Sequence, residues 1–146
     1  MPALTVITGA DNPILRTQAK KVLKVTKDIL KLIKDMRLTV TDEDGAGLAA
    51  PQVGQSLSLC LANIVGKMTV FINPVITRYG KEQEVMEEGC LSLPGIVVAV
   101  PRSTDVTVKF MDEKGKEQER RLRGFSARVI QHEVDHLEAR LIVDYE

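Results

Sequence analysis

The sequence predicts an α+β domain in which antiparallel sheets surround a C-terminal helix. Two observations predict helices: apolar residues recur at helical spacing between Thr26 and Val40, and again over the segment FSARVIQHEVDHLEARL near the end of the chain. A third observation predicts the sheets, because the chain between these two segments consists of short alternating or β-branched runs. Residues 1–146 fit a single domain with one hydrophobic core.

The first helix is predicted between Thr26 and Val40, with lysines on the face opposite the apolar residues. Thr26 is a suitable N-cap, because its hydroxyl can accept a hydrogen bond from a backbone N–H of the first turn. The acidic and glycine-rich segment TDEDGAG ends the helix after Val40. The apolar positions are Ile29, Leu32, Ile33, Met36 and Val40.

The middle of the chain is predicted to form antiparallel strands. The runs SLSLCLA, KMTVFI and PVITRYG come first, and turn-forming residues interrupt them, most clearly the Asn73-Pro74 pair. A second group follows in GIVVAV, DVTVKFMD and KEQERRLRG. The last two runs are separated by DEKG at residues 112–115, which predicts a hairpin turn.

The composition argues against several classes of function. Twenty Lys and Arg residues balance twenty Asp and Glu residues, so charge gives no reason to expect direct binding of nucleic acid or of an anionic membrane. No apolar run reaches the length of a membrane span, and the first residues, MPALTVITGADNP, do not resemble an export signal. We therefore expect a protein of the cytoplasm or of an organelle, in which both cysteines remain thiols.

The second helix is predicted after Gly124, with Ser126 as a candidate N-cap. It carries both histidines of the chain in the motif H-E-x-x-H, formed by His132, Glu133 and His136. This spacing places both imidazoles on one face of a helix, where they can bind one metal ion, with Glu133 beside it as a general base. The apolar positions of this helix are Val129, Ile130, Val134, Leu137 and Leu141.

A catalytic metal site of this kind needs a third protein ligand. The ligand must lie upstream, because only ten residues follow His136 and Glu138 points about 200° away from His136 around the helix. Cys90 is the best candidate, because Gly89 allows a close backbone approach and EEGCLSLPG is not a simple alternating strand. Cys60 lies in the alternating run SLSLCLAN, which favours a buried position in the core.

Three segments together resemble the peptide deformylase family: GAGLAAPQ at residues 45–52, EGCLS at residues 88–92 and QHEVDHL at residues 131–137. They occur in the order found in that family. The similarity also includes NPILRTQAKKV near the start and VPRSTDVTVKFMDEKG in the middle, so it extends over nearly the whole chain. An H-E-x-x-H motif alone would be weak support, whereas the three motifs together are specific.

The resemblance implies that Cys90, His132 and His136 hold one divalent metal ion. In this family the ion is commonly ferrous iron, with zinc, nickel or cobalt as alternatives. The donor set alone does not choose among these metals, because a thiolate with two imidazoles suits several of them. The preference for iron therefore rests on the family alone.

The resemblance also implies a reaction. A metal-bound hydroxide attacks the formyl carbonyl of an N-terminal formylmethionine, and Glu133 transfers the proton to the departing amine, which releases formate. The side-chain amide of Gln52 and the backbone N–H of Leu91 are the implied donors to the tetrahedral oxyanion. Such preorganised donors contribute roughly 3 kcal/mol each to lowering a barrier.

The substrate is expected to lie along the glycine-rich segment GAG by backbone pairing, as in β-augmentation. An apolar pocket for methionine is expected between Phe125, Val129 and the backbone near Leu91. For Arg128, one helical turn before His132, a position at the pocket border and a solvated position are both open. The candidate substrate-binding residues are Gly45, Ala46, Gly47, Glu88, Gly89, Phe125 and Val129.

The expected partners are N-formylmethionyl peptides and nascent chains, with the ribosome as a further candidate. Two features depart from the family pattern. Ala139 stands where family members often have glycine, and we expect a methyl group to be tolerated there. The sequence ends at Glu146, without the C-terminal extension that many bacterial members carry and that is associated with ribosome contact.

Two alternatives remain open from the sequence. A zinc endopeptidase with H-E-x-x-H would cleave internal peptide bonds and would not need Cys90, although it would lack a downstream third ligand. A non-enzymatic binding module would instead use Cys60, Cys90 and both histidines as a closed structural metal site. The position of Cys60 relative to the histidines distinguishes this second alternative from a catalytic site.

Overall fold

The computed structural model describes residues 4–146, which form two α-helices and seven strands. Two short 3-10 helices, Ala50–Val53 and Ile142–Tyr145, follow the first strand and the second α-helix. Across residues 4–146, neither α-helix is both long and apolar enough to cross a membrane. In chain order the regular elements are α1 (Lys27–Asp42), β1 (Gly47–Ala49), β2 (Leu59–Ile64), β3 (Lys67–Tyr79), β4 (Gln83–Cys90), β5 (Leu93–Ser103), β6 (Asp105–Met111), β7 (Glu117–Arg123) and α2 (Phe125–Leu137).

Antiparallel pairing joins the strands into two sheets, as predicted. Five strands pair in the order β1-β2-β3-β6-β7, and β4 pairs with β5 in a separate two-stranded sheet. α2 contacts strands of both sheets, and its side chains Ala127, Ile130 and Val134 are buried in a core that includes Phe71 of β3. Because strands of both sheets pack against it, α2 is buried at most positions, including Glu133 and His136.

α1 forms close to its predicted limits. Thr26 is the N-cap, and its hydroxyl accepts a hydrogen bond of 3.2 Å from the backbone N–H three residues later. Ile33, Met36 and Val40 are buried and pack against apolar residues of β1, β2 and β3. The helix continues two residues past the last apolar position and ends at Asp42, within the acidic segment that was expected to stop it.

β3 runs through the position at which the sequence predicts an interruption. KMTVFI and PVITRYG form one strand of 13 residues, and the Asn73-Pro74 pair produces a local shift in the pairing with β6. Asn73 has a φ of 51°. Its side chain accepts a hydrogen bond from the N–H of Val22 and donates one to the Val22 carbonyl, both at 2.8 Å. This pair therefore fixes the segment before α1 to the sheet.

β4 has no predicted counterpart. Its sequence, QEVMEEGC, contains three glutamates and a glycine, which are residue types depleted in strands. Pairing with β5 holds the segment extended, with an irregularity in the register between Glu88 and Cys90. Cys90 therefore ends a strand whose pairing is irregular at that point, in agreement with the absence of a simple alternating pattern in its sequence.

Two predicted features of α2 are wrong. Ser126 does not cap the helix, because the N-cap is Gly124, with a φ of 62°, and Ser126 is buried in the first turn. Leu141 is not on the helix, because α2 ends at Leu137 and Ala139 turns the chain with a φ of 64°. Leu141 packs instead in a separate apolar cluster with residues of the N-terminal segment and β5.

Candidate metal centre and active site

The three candidate metal ligands meet at one place in the fold. Cys90 lies at the end of β4, and His132 and His136 lie one turn apart on α2. The possible ligand atoms of these residues all lie within 4.8 Å of one another. The Sγ of Cys90 is 3.3 Å from the Nε2 of His136. A thiol and two imidazoles at these distances form a donor set that fits a divalent transition-metal ion.

Cys60 lies outside this group of ligands. It is fully buried in β2, in the core between the five-stranded sheet and α2. Burial, and to a smaller extent the charge of Glu133, raise the pKa of the Cys60 thiol well above its ordinary value. The thiol packs as an apolar group and is not among the possible ligand atoms that meet at the histidines, which argues against the closed structural site that would include it.

Glu88 supports His132 from the side away from Cys90. Its Oε1 lies 2.9 Å from the Nδ1 of His132. Arg102 donates to both oxygens of the same carboxylate, at 3.0 and 2.9 Å, and Arg128 donates to Oε2. Both oxygens are thus engaged by protein side chains, an arrangement that orients the His132 ring.

The electrostatics of this group favour a positive charge at His132 and a neutral His136. Burial alone would raise the pKa of Glu88, but the hydrogen bonds from His132 and Arg102 outweigh it and hold that pKa well below its usual range. Burial would lower the pKa of His132, but its contacts with Cys90 and Glu88 raise it to about 10. Burial and the neighbouring charges of His132 and Arg102 lower the pKa of His136. A divalent cation would supply the positive charge while both imidazoles stay neutral.

Glu133 lies on α2 between the two histidines and faces the same cavity. Its side chain is buried, and burial raises the pKa of the carboxyl to about 7. Within the part of the chain that the structure describes, its Oε1 has no hydrogen-bond partner. A buried acceptor whose pKa lies near neutrality can take a proton from water and return it.

Gln52 lies in the 3-10 helix after β1, and its side chain is held at both ends. Its Oε1 accepts a hydrogen bond of 2.9 Å from the N–H of Ala49. Its Nε2 donates to the Oγ of Ser92 at 3.1 Å and lies 3.8 Å from the Sγ of Cys90. Leu91 directly follows Cys90 and lines the same cavity. The structure therefore places both predicted oxyanion donors next to a candidate metal ligand.

A cavity of about 420 Å³ opens beside these groups. Its wall combines Cys90, His132 and Glu133 with the apolar side chains of Leu91 and Val129. One side is open, since Phe125 is 59% exposed. All predicted substrate-binding residues line this cavity: Gly45, Ala46, Gly47, Glu88, Gly89, Phe125 and Val129.

Several residues at the site carry no recognisable signal in the sequence. Met86 of β4 lines the cavity, but its strand is not predicted. Arg128 is buried at the cavity wall and donates to the carbonyls of Glu84 and Val100, at 2.6 and 3.0 Å. Of the two positions left open for Arg128, the pocket border is therefore the one found. Arg102 is separated along the chain by 14, 33 and 43 residues from its partners Glu88, Asp135 and Tyr145, so no local spacing marks it as part of the site.

The chain is similar to proteins of one known family. A sequence model of the family described as polypeptide deformylase matches residues 4–145. The peptide deformylase of Pseudothermotoga lettingae is 47% identical over 133 residues, covering 91% of this chain and 77% of that protein. The crystal structure of peptide deformylase from Thermotoga maritima has a TM-score of 0.95 at 41% identity, covering 99% of this chain and 98% of that one. A Met-Ala-Ser-bound class I type b peptide deformylase from Acinetobacter baumannii has a TM-score of 0.94 at 31% identity, covering 99% of both chains.

Proposed function

The chain belongs to the polypeptide deformylase family, and we propose that Cys90, His132 and His136 hold the metal ion that its reaction requires. It is accordingly a metal-dependent hydrolase that removes the formyl group from the N-terminal methionine of new proteins and releases formate. The observation that carries the proposal is the convergence of these three ligand atoms, within 4.8 Å, on a cavity that the Glu133 carboxylate also lines.

Glu133 is the general base and then the general acid. The metal ion, when bound, supplies Lewis acidity toward the formyl carbonyl and toward water. Glu133 takes the proton of the attacking water on its free oxygen and gives it to the amine nitrogen as the carbon–nitrogen bond breaks. Burial raises the pKa of this carboxyl, which favours its taking the proton before it passes the proton on to the amine.

Gln52 and Leu91 stabilise the negative charge that develops on the formyl oxygen. The Gln52 amide is oriented by Ala49 and Ser92 before substrate arrives, so little reorganisation is needed when the charge forms. The backbone N–H of Leu91 is the second donor. Preorganised donors of this kind contribute roughly 3 kcal/mol each to the barrier reduction.

The substrate lies in the cavity with its methionine side chain against apolar residues. Phe125, Val129 and Leu91 supply the apolar wall. The backbone of Gly45, Ala46, Gly47 and Gly89 borders the peptide, which pairs with it as an added strand. The relative from Acinetobacter baumannii was crystallised with Met-Ala-Ser, the peptide that remains after deformylation of formyl-Met-Ala-Ser, which supports a short peptide in this position.

Ferrous iron is the proposed native metal, with zinc, nickel and cobalt as ions that the same donors can hold. A thiolate ligand to ferrous iron is open to oxidation. We therefore expect the iron form to lose activity in air faster than the nickel form. Nascent chains are the proposed natural substrates and the ribosome the proposed site of encounter, in the compartment where proteins are made.

The test is formate release from formyl-Met-Ala-Ser by protein loaded anaerobically with ferrous iron or with nickel. We expect release with either metal and none from protein stripped by a chelator. Cys90→Ser should lose both the metal and the activity. Folded wild-type protein that binds metal yet releases no formate would contradict the proposal.

A second substrate distinguishes deformylase activity from endopeptidase activity. An N-acetylated peptide with internal bonds and no formyl group should remain intact under the same conditions. Cleavage of that peptide, together with no action on formyl-Met-Ala-Ser, would favour the zinc endopeptidase. The acetyl block matters, because it removes the free amine without supplying a formyl carbonyl.

A further inference from the structure

A network of buried charged side chains connects α2, which carries the two candidate histidine ligands, to the 3-10 helix Ile142–Tyr145. Arg102 of β5 is 4% exposed, and all three nitrogens of its guanidinium donate hydrogen bonds. Nε and Nη2 bind the two oxygens of Glu88, while Nη1 donates to Asp135 at 2.6 Å and to the hydroxyl of Tyr145 at 3.2 Å. Since Glu88 in turn contacts His132, the position of Arg102 sets the position of the carboxylate behind that histidine.

Tyr145 completes this network from the 3-10 helix after α2. Its hydroxyl donates to the Oδ2 of Asp135 at 2.6 Å, the same oxygen that accepts from Arg102. Its ring also lies over the guanidinium groups of Arg102 and Arg140, at 4.9 and 4.3 Å from the ring centroid. Burial and the neighbouring Asp135 raise the pKa of Tyr145 to about 12, so the hydroxyl keeps the proton that it donates.

Asp135 needs this second donor because it is the more exposed end of the network. Its side chain is 18% exposed, against 4% for Arg102 and 5% for Glu88. The hydroxyl of Tyr145 holds the Asp135 carboxylate in place, and this carboxylate in turn orients Arg102. Without the hydroxyl, water could compete for the carboxylate. The chain of contacts therefore runs from Tyr145 through Asp135, Arg102 and Glu88 to His132.

The same 3-10 helix also forms an ion pair, which is not connected to the candidate metal ligands. Arg16 donates to Asp144 at 2.7 Å, and these two side chains are 34% and 33% exposed. Asp144 also accepts a hydrogen bond of 2.9 Å from the N–H of Leu141. If the segment only stabilised the fold, loss of the Asp144 contact and loss of the Tyr145 contact would affect the metal site in the same way.

We propose that Tyr145 and Asp135 are positioning residues for the metal ligand His132 and that they act through Arg102 and Glu88. The inference rests on the proposed role of His132 as a ligand. Tyr145 does not touch the metal or the substrate; it restricts the geometry of the group that orients the ligand. The segment after α2 therefore affects metal retention as well as stability.

The test compares Tyr145→Phe, which keeps the ring and removes only the hydroxyl, with the matched control Asp144→Asn. Both full-length variants are loaded with cobalt, and metal release to a chelator and the visible absorption of the cobalt centre are recorded beside wild type. We expect Tyr145→Phe to release cobalt roughly 3- to 10-fold faster, less than the 10- to 100-fold typical of a direct outer partner, and to shift the cobalt bands. Asp144→Asn should change neither, because an amide oxygen still accepts from Leu141.

A double-mutant cycle tests the route of the coupling. In a Glu88→Gln background, Tyr145→Phe should have little further effect on the release rate, because the two act through one network. If Tyr145→Phe fails to fold, Asp135→Asn gives the same comparison. Wild-type release rate and spectrum in Tyr145→Phe, or equal changes in Asp144→Asn, would overturn the proposal. Wild-type protein that binds no cobalt would instead overturn the ligand assignment on which it rests.

Discussion

Gly47 of β1 lies so close to Glu133 of α2 that no side chain fits between them. A methyl group placed on Gly47 would lie 2.7 Å from the Oε2 of Glu133 and 2.7 Å from the carbonyl oxygen of Leu61. Gly47 is not among the residues with a positive φ, so its requirement for glycine is one of space and not of backbone freedom. The Leu61 carbonyl belongs to β2, which pairs with β1, and the more mobile of the two neighbours is the carboxylate.

Gly47→Ala is therefore expected to displace the general base, and also to lower the stability of the protein, because the methyl group meets the backbone carbonyl of Leu61 in the paired strand β2. A misplacement of about 1 Å can cost roughly 100-fold in rate, so kcat for formyl-Met-Ala-Ser should fall by about that factor. Metal content should remain near that of wild type, since the ligands are not touched. Steady-state kinetics and metal analysis on the same preparation measure both quantities.

Gly115→Ala is the matched control for that substitution. Gly115 lies in the turn between β6 and β7 with a φ of 80°, and a methyl group there would meet nothing within 4 Å. We expect it to lose roughly 1 kcal/mol of stability from the left-handed backbone and to keep wild-type kcat. A near-normal kcat in Gly47→Ala would contradict this prediction, because it would show that the Glu133 carboxylate is not displaced by the methyl group.

The sequence predicts the catalytic residues of the site better than the residues around them. The catalytic motif is formed by residues close together in the sequence, whereas its surroundings are formed by residues far apart in the sequence. His132, Glu133 and His136 lie within one helical turn of each other, and their spacing alone places both rings on one face. Cys90 could be predicted as the third ligand because its neighbours differ from those of Cys60. Burial of Cys60 in the core agrees with that distinction.

What could not be predicted depends on contacts between distant segments. The role of Glu88 behind His132 requires Arg102 and Arg128, which come from β5 and α2, and no local pattern brings these together. β4 forms despite glutamates and glycine because β5 supplies the pairing. Tertiary contacts also determine where α2 ends. Leu141 packs in a neighbouring apolar cluster and does not extend the helix by another turn.

Glu133→Gln should abolish most of the activity and retain the metal. The amide occupies nearly the same volume beside Gly47 and cannot accept a proton from water. General bases contribute about 10²- to 10⁴-fold, and we expect kcat to fall within that range. The buried carboxyl has an elevated pKa, so a neutral group is compatible with the site and thermal unfolding should change little. Turnover within a few-fold of wild type would remove Glu133 from this role.

Metal binding should raise the thermal stability of the protein through Cys90 but not through Cys60. A ligand that binds only the folded state adds about 2.7 kcal/mol at 100 times its Kd, and each kcal/mol corresponds to roughly 2–4 °C in a chain of this size. Adding nickel to stripped wild type should therefore raise the melting temperature by several degrees.

The two cysteine variants distinguish the site from the core. Cys60→Ser should melt lower than wild type, because a hydroxyl is buried among apolar groups, yet show the same increase with nickel. Cys90→Ser should show little or no increase. An increase lost in Cys60→Ser and kept in Cys90→Ser would contradict the assignment of the ligands and favour a different metal site.

Ala139→Gly should stabilise the protein. Ala139 has a φ of 64° at the end of α2, where its N–H bonds the carbonyl of His136 at 3.1 Å and the next N–H bonds that of Asp135 at 2.8 Å. These bonds close the helix in the left-handed conformation typical of glycine, which costs an L-residue roughly 1–2 kcal/mol. Glycine removes that cost but loses part of the gain to its more flexible unfolded state. We expect a net gain of about 0.5–1 kcal/mol in chemical denaturation of the nickel-loaded proteins. Ala139→Val, which is β-branched, should change stability in the opposite direction, and a loss of stability in both variants would show that the alanine is unstrained.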